Sequence, residues 1–186
     1  MQQEDLEDEM QSSKNRLFAK FPETKVVQTL QELAKEDFEN QKAKQLEYDI
    51  EGGAIGVVWV SPTEVVLTRR TKPHGGWALP GGRVEKGEDF DDAFLREVEE
   101  ETSVKAVLDK ALQLEEKIFI SPAGEKLPFV LASFEATALP GQTPILTIDA
   151  VREGLEVAVF DVNSLPEQMV LQDRQKIELA LAARQT

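Results

Sequence analysis

The sequence predicts a layered α/β sandwich preceded by a helical segment. Three observations support this prediction. Short β-rich runs separated by glycine and proline turns fill the chain after Gly52, few helical patterns lie among them, and the first 48 residues are rich in Gln, Glu and Lys and contain no glycine. A length of 186 residues suits one domain with an appended segment. We therefore divide the chain into an N-terminal helical arm, residues 1–48, and a main domain, residues 49–186.

The arm carries its apolar residues at helical spacing. Val26, Val27, Leu30, Leu33 and Ala34 recur three or four residues apart after Pro22, which favours an amphipathic helix. A lone helix is marginal in water, so its apolar stripe needs a partner surface. The partner is either the main domain or the same arm of a second chain, and the second alternative would make the protein a homodimer.

The main domain begins with a predicted hairpin. Ala54–Val60 and Val65–Leu67 are β-rich runs joined by a Ser-Pro-Thr turn. A glycine-rich loop then surrounds the short run Trp77–Leu79, and a helix is expected from about Phe90 to Thr102.

The second half of the main domain reads as strands followed by a helix. We expect strands at Val104–Leu114, Lys117–Ile120, Pro128–Phe134 and Leu155–Phe160, with a turn at residues 121–124. A loop at residues 163–166 leads into a C-terminal helix, whose apolar positions include Ile177 and Ala180.

Composition excludes several classes of function. The chain has no cysteine, which excludes disulfides, thiolate nucleophiles and cysteine-built zinc sites. Its formal charge of -14 disfavours nucleic acid and anionic membranes as partners. The polar, acidic N-terminus is unlike a targeting peptide, and the longest apolar stretch is far shorter than a membrane span. A cytoplasmic protein is the expectation.

The central helix places three glutamates on its core-facing side. At about 100° per residue, Glu97, Glu100 and Glu101 continue the direction of Phe90 and Phe94. Like charges at this spacing repel, and the C-terminal end of a helix disfavours anions. A hard divalent cation such as Mg²⁺ or Mn²⁺ would resolve both conflicts because it prefers oxygen ligands. The alternative is a glutamate-rich surface helix.

The residues around these glutamates resemble the Nudix box. Its pattern is Gly-x5-Glu-x7-Arg-Glu-aliphatic-x-Glu-Glu-x-Gly-aliphatic, and eight of its nine defined positions match between Gly82 and Val104. The matching positions are Gly82, Glu88, Arg96, Glu97, Val98, Glu100, Glu101 and Val104. The resemblance implies the Nudix-type α/β/α sandwich with a mixed β-sheet.

The resemblance also implies roles for individual residues. Glu97, Glu100 and Glu101 would be metal ligands, with the backbone carbonyl of Gly82 as a further ligand, and Mg²⁺ or Mn²⁺ as the cofactor. Glu100 and Glu101 would thereby also be catalytic.

Two further positions of the box have supporting roles in the resemblance. Glu88 would support the metal site directly or through water. Arg96 would hold a glutamate of the box by a charge-assisted hydrogen bond.

The sequence departs from the box at Ser103, where the pattern has glycine. Glycine at a helix C-cap usually adopts a left-handed conformation, which serine tolerates at a cost of order 1 kcal/mol. Because the acidic positions are unaffected, we expect this substitution to concern the helix end rather than the chemistry.

The resemblance leaves the general base open between a glutamate of the box and an acid from a later loop, for which there are three candidates. Glu153 and Glu156, which flank the start of the late strand, are the best placed in chain order, and Asp149 is third. We select Glu153 as the catalytic candidate, while an ordinary strand-end charge remains the alternative for each.

One basic cluster precedes the box. Arg69, Arg70 and Lys72 are candidates for binding substrate phosphates, against the alternative of a solvated strand end. His74, the single histidine, lies in the same loop and is more simply a solvent-exposed residue.

The expected activity is metal-dependent hydrolysis of a diphosphate linkage in a small molecule. Candidate substrates are nucleotide sugars, dinucleoside polyphosphates and nucleoside triphosphates, among which no subfamily motif decides. The competing hypothesis is a catalytically silent Nudix fold that senses a ligand or binds a protein, but all the box acids are present.

Overall fold

The computed structural model describes residues 3–48, 52–70 and 76–184. Within these residues the helices are α1 (Gln3–Lys20), α2 (Lys35–Tyr48), α3 (Phe90–Thr102), α4 (Ile148–Arg152) and α5 (Leu171–Arg184). The strands are β1 (Lys25–Glu32), β2 (Gly52–Ser61), β3 (Glu64–Arg70), β4 (Trp77–Ala78), β5 (Gly81–Val84), β6 (Ala106–Ile120), β7 (Lys126–Ala138) and β8 (Leu155–Asp161).

The described strands form one mixed sheet. The main order is β1-β6-β7-β2-β3-β4, with β5 paired to β2 and β8 paired to β3. The pairs β1–β6 and β2–β7 are parallel, and the other pairs are antiparallel. This arrangement confirms the predicted fold class.

Helices cover both faces of the sheet because β2 is apolar on both sides. Ala54 and Val58 point into a core that contains Phe90 and Phe94 of α3. Val57 and the other odd-numbered apolar residues of β2 point into a second core, which contains Ile177 and Ala180 of α5. Alternation of side chains along a strand produces this division, and the result is the expected three-layer sandwich.

The prediction of a helix over the stripe at residues 26–34 was wrong. Residues 25–32 form β1, which pairs in parallel with β6 along its whole length. The first four residues of the stripe fit a strand as well as a helix, and β-branched Val26, Val27 and Thr29 favour the strand. The deciding factor is a partner strand more than 80 residues away in sequence, which local spacing does not reveal.

The arm also contributes to the main core through α1. Leu17 is 2% exposed and packs in the same core as Phe90 and Phe94. Lys20 bridges Asp89 and Asp91 at the start of α3, with N–O distances of 2.8 Å to each. These bonds lower the pKa of Asp89 and raise that of Lys20. The division at residue 48 remains a prediction, although the arm and main domain pack closely.

The two strands expected at 104–114 and 117–120 are one continuous strand, β6. The two expected strands left out Glu115 and Glu116, a pair of adjacent charges that the structure places inside β6. Thr29 donates a hydrogen bond of 2.7 Å to Glu115, and Lys14 forms an ion pair of 2.9 Å with Glu116. The arm therefore supplies a hydrogen bond to Glu115 and a counter-charge to Glu116, while Lys117 of β6 lies 3.5 Å from the Glu115 carboxylate.

Most other elements follow the sequence prediction. The hairpin, the helix over Phe90–Thr102, the turn at 121–124, the late strand and the C-terminal helix are present, whereas the short helix α4 was not predicted. Within the described residues, helices that combine the length and the apolar character needed to cross a bilayer are absent.

Candidate active site

Helix α3 brings the three box glutamates to one side at different depths. Glu101 is 6% exposed, and its carboxylate accepts a hydrogen bond of 3.1 Å from the backbone N–H of Gly81. The side chain of Glu97 is 15% exposed, whereas that of Glu100 is 58% exposed. Two carboxylates thus lie in the wall between α3 and the β4–β5 connection, and the third lies at the rim.

Close packing against Gly82 fixes the position of Glu97. A β-carbon added to Gly82 would lie 2.4 Å from Cδ of Glu97. Glycine avoids this clash because it has no side chain. Burial raises the pKa of Glu97, although the neighbouring Arg96 lowers it in part. An added cation beside this carboxylate would favour its ionised form.

Arg96 bonds to three glutamates of the predicted box. Its Nε and Nη2 donate to the two carboxylate oxygens of Glu88 at 2.9 and 3.0 Å. Its Nη1 donates to Glu97 at 3.0 Å and to Glu100 at 3.1 Å, while Nη2 also reaches the carbonyl of Arg83 at 3.0 Å. The hydrogen bonds to Glu88 contribute most to the raised pKa of this guanidinium. This geometry fits a positioning role for Arg96 and Glu88.

The opposite wall is the segment around α4, whose attachment to α3 was not predicted from the sequence. The hydroxyl of Thr147 donates to the carbonyl of Glu100 and accepts a bond of 3.1 Å from Ala150 N–H, which caps α4. The N–H of Ile145 donates to the Thr102 carbonyl at 2.9 Å. The carbonyls at the end of α3 therefore hold the segment that leads into α4. Threonine is a preferred N-cap residue, but its partner in α3 could not be inferred from spacing.

A cleft of about 390 Å³ opens between these two walls. The box glutamates lie on one side, and Asp149 and Glu153 of the α4 segment lie on the other. Its lining residues are Glu97, Glu100, Glu101, Thr147, Asp149, Ala150, Glu153 and Leu155. The structure thus brings together the predicted metal ligands and two of the three candidate bases.

The chemistry of this lining fits a hard divalent cation. Five of the eight lining residues are acidic and none of the eight is basic. Desolvated carboxylates are costly without a counter-charge, and carboxylate oxygens are the ligands that Mg²⁺ and Mn²⁺ prefer. The residues of the cleft therefore fit such an ion.

A second acidic cluster lies at the other end of α3. Asp89, Asp91 and Asp92 have carboxylate oxygens within 4.8 Å of one another, a spacing that the cleft glutamates do not reach. Two of these aspartates are already paired with Lys20, and Asp89 also accepts from Arg16. Their position in the first turn of α3 is favourable for the helix dipole. This cluster attaches α1 to α3.

Glu156 and Arg69 pair with each other outside the lining of the cleft. They are cross-strand neighbours on β8 and β3, and the Nε of Arg69 lies 3.2 Å from the Glu156 carboxylate. The guanidinium also lies 4.9 Å from the ring centroid of Trp77. Arg70 has its backbone in β3, whereas its side chain, Lys72 and His74 lie outside the described parts of the structure.

Comparison with known proteins gives relatives of modest identity. An ADP-ribose pyrophosphatase of Saccharomyces cerevisiae is 28% identical over 123 residues, which cover 63% of this chain and 52% of the relative. An ADP-ribose pyrophosphatase of Methanocaldococcus jannaschii is 28% identical over 113 residues, covering 60% of this chain and 62% of the relative. The chain therefore matches less than two thirds of the length of either protein.

Solved structures share the fold. A MutT NUDIX hydrolase from Burkholderia pseudomallei superposes with a TM-score of 0.51 at 25% identity, covering 68% of this chain and 95% of that one. A UDP-X diphosphatase gives a TM-score of 0.53 at 21% identity, covering 79% and 71%. The NUDIX domain family model matches residues 51–180. This match covers most of the chain and includes the cleft, and we conclude that the chain belongs to the NUDIX family.

Proposed function

We propose that the protein hydrolyses a phosphoanhydride bond in a nucleoside diphosphate joined to a second group, with Mg²⁺ or Mn²⁺ as cofactor. The observation that carries the proposal is the cleft in which Glu97, Glu100 and Glu101 face Asp149 and Glu153. An acidic cleft on a chain with a charge of -14 would repel a diphosphate. A bound cation reverses that repulsion, which is why substrate and cofactor are proposed together.

The roles of the residues follow from their positions. Glu97, Glu100 and Glu101, with the carbonyl of Gly82, would hold the divalent cation. When bound, the cation would neutralise diphosphate oxygens and lower the pKa of a water molecule. Arg96 keeps two of the glutamates in place through its bonds to Glu97 and Glu100.

Glu153 is the strongest of the three candidate bases. It lines the same cleft as the box glutamates and is the C-cap residue of α4. Glu156 is bonded to Arg69 and does not line the cleft. Asp149 also lines it, and its carboxylate forms an ion pair of 3.0 Å with Arg152, so Asp149 is the second candidate. A carboxylate at the position of Glu153 can accept the proton of a water that attacks a bound diphosphate.

The basic cluster supports phosphate binding at the neighbouring strand end. Arg70 pairs in register with Leu155, which lines the cleft, and Arg69 pairs with Glu156. Strand β3 therefore ends beside the cleft, and Lys72 follows two residues later in the sequence. We propose that Arg69, Arg70 and Lys72 contact the distal phosphate or its substituent, with Arg69 exchanging its bond to Glu156 for one to substrate.

The relatives support a nucleoside diphosphate with an attached group as the first substrate class to test. Two of them are named ADP-ribose pyrophosphatase. A relative from Bacillus subtilis, named as a putative 8-oxo-dGTP diphosphatase, is 41% identical but matches only 30% of this chain. We therefore rank nucleotide sugars above nucleoside triphosphates.

A screen that separates the nucleotide products by ion-exchange chromatography tests the proposal, because cleavage of ADP-ribose or a UDP-sugar at its diphosphate gives two phosphate monoesters and no free phosphate. Purified protein would be incubated with ADP-ribose, UDP-sugars, dinucleoside polyphosphates and nucleoside triphosphates, each with Mg²⁺, Mn²⁺ or chelator. We expect turnover of at least one diphosphate-linked compound that depends on the cation and is lost in Glu101→Gln. Glu99→Gln is the matched control, because Glu99 lies on the same helix outside the cleft lining and pairs with Lys105. Tight binding of these compounds without turnover would instead favour the catalytically silent fold.

A further inference from the structure

Strand β1 forms one end of the sheet and has a free edge. It contains eight residues in unbroken parallel register with β6, from Lys25 opposite Gln113 to Glu32 opposite Ile120. In the main strand order of the described residues, β6 is its one neighbour. The other edge therefore presents unpaired backbone donors and acceptors.

The backbone groups on that free edge belong to even-numbered residues. Just after β1, the N–H of Leu33 donates to the carbonyl of Ile120 at 3.0 Å, so it points towards β6. Successive residues of a strand point their backbone groups alternately to its two sides. Val26, Gln28 and Leu30 thus direct their N–H and C=O groups away from β6.

This edge lacks the features with which monomeric proteins protect an exposed strand. Proline and bulges are absent from β1, and residues 26–31 contain no charge, although 30% of the whole chain is charged. Val26 is 48% exposed and Leu30 is 71% exposed. Free edges usually carry charges, prolines or bulges that prevent pairing with another chain.

Two-fold symmetry restricts how two such edges can pair. In a continuous antiparallel sheet with a perpendicular two-fold axis, paired residues lie on the same face, so their numbers must both be even or both be odd. One register sets Val26 opposite Leu30 of the second copy and Gln28 opposite Gln28 of the second copy. In the two neighbouring registers the exposed apolar side chains meet polar ones instead. Val26 then lies opposite Gln28 or Glu32, and Leu30 lies opposite Thr24 or Gln28.

We propose that β1 is a homodimer interface, in which a second copy of this chain pairs antiparallel in the register that joins Val26 to Leu30. The two exposed apolar residues of each copy then meet on one face, and their backbone groups complete each other's hydrogen bonds. Cross-strand apolar pairs of this kind stabilise antiparallel sheets. The contact area of a single strand pair is small, so the dimer is expected to be weak and dependent on concentration. The proposal is independent of the catalytic function.

Single cysteines provide a direct test of the register because the natural chain has none. In the proposed register, Gln28→Cys places two cysteines opposite each other, with Cα atoms about 5.5 Å apart, which a disulfide can span. Thr29→Cys is the matched control. Its two cysteines would be offset by two residues, about 8 Å apart, which is too far for a disulfide. We expect rapid oxidation to a dimer for Gln28→Cys only.

Charge variants test the same pairing without oxidation, by sedimentation velocity at several concentrations. In Val26→Lys/Leu30→Lys each pair would be lysine against lysine, and we expect a monomer at every concentration. In Val26→Glu/Leu30→Lys each pair would be glutamate against lysine, and we expect a dimer that weakens with salt. A wild-type protein that stays monomeric at all concentrations, or faster cross-linking of Thr29→Cys than of Gln28→Cys, would overturn the proposal.

Discussion

The carboxylate of Glu97 occupies the space that a side chain at position 82 would need. An added β-carbon at Gly82 would approach Cδ of Glu97 to 2.4 Å and its two oxygens to 2.5 and 2.6 Å. The obstacle is the far end of a flexible side chain, and Gly82 is absent from the residues with positive φ. The glycine is therefore required for the position of a carboxylate more than for the path of the backbone.

Gly82→Ala should fold and yet lose activity. We expect Glu97 to move away from the added methyl group, with a higher concentration of Mg²⁺ needed for half-maximal rate. Gly81→Ala provides the contrast, because Gly81 has a φ of 139° and its β-carbon would lie 2.2 Å from the carbonyl oxygen of Ala54. A thermal melt should thus fall far more for Gly81→Ala than for Gly82→Ala. Equal losses of stability would show that the backbone at Gly82 is also constrained.

Glu153→Gln should reduce kcat while the metal requirement stays the same. Glu153 lies across the cleft from the proposed ligands, so the amide removes a proton acceptor without removing a ligand. The general acid–base contribution of a positioned side chain is about 10²–10⁴-fold, which sets the expected loss. Rates measured against Mg²⁺ concentration distinguish this result from loss of the metal. A normal kcat for Glu153→Gln, with a loss in Asp149→Asn, would transfer the role to Asp149.

Ser103→Gly should stabilise the protein slightly and leave catalysis near normal. Ser103 has a φ of 58° and a ψ of 13°, so the left-handed conformation expected at the end of α3 is confirmed. Among the non-glycine residues that the structure describes, it is the one with positive φ. Glycine avoids the cost of about 1–2 kcal/mol that a Cβ has in this conformation. The gain in the free energy of unfolding is partly offset because glycine has greater freedom in the unfolded chain. A small rise in melting temperature is expected; a fall of several degrees would contradict this account.

The sequence predicted the parts of the fold that depend on local pattern. Helix α3 begins at Phe90 and ends at Thr102 as expected, because its apolar and acidic residues share one clear helical period. Residues 25–32 have no such unique period. Their pairing with β6 depends on partners more than 80 residues away, and tertiary contacts overrode the helical spacing.

One wall of the candidate site could be predicted from local spacing, and the other could not. The box glutamates lie on one helix, so their common side follows from spacing. The facing wall depends on Thr147 reaching the carbonyl of Glu100, a contact across 47 positions of sequence. Chain order alone could not distinguish Glu153, which lines the cleft, from Glu156, which is bonded to Arg69.

Leu17→Ala tests whether the arm supports the helix that carries the glutamates. Leu17 is 2% exposed in the core with Phe90 and Phe94, so truncation should cost about 2–5 kcal/mol in the free energy of unfolding. Leu46→Ala is the matched control, since Leu46 also lies in the arm but is 69% exposed. Urea denaturation of both variants measures the difference. If both variants lost equally little stability, α1 would be only loosely attached to the main core.

The last prediction concerns Asp173, a buried carboxylate at the start of α5. It is 7% exposed, and its Oδ2 accepts a hydrogen bond of 3.0 Å from the N–H of Leu79. Leu79 lies two residues before Gly81, whose own N–H donates to Glu101. Asp173 therefore ties α5 to the connection that borders the cleft.

Burial raises the pKa of Asp173 above its ordinary value, although the Leu79 N–H and the charge of Lys176 act in the opposite direction. A carboxyl whose folded-state pKa is raised stabilises the fold most at pH values below its unfolded pKa, about 3.9. That contribution is lost as the pH rises through the folded-state value, because the buried group must then ionise. Asp173→Asn keeps an oxygen that can accept from Leu79 but does not titrate. We expect the variant to gain stability relative to the wild type as the pH rises above about 4, measured by urea denaturation at a series of pH values. The opposite result is that the wild type becomes more stable relative to the variant as the pH rises. It would mean that the fold favours the ionised carboxylate, because the Leu79 N–H and Lys176 outweigh its burial.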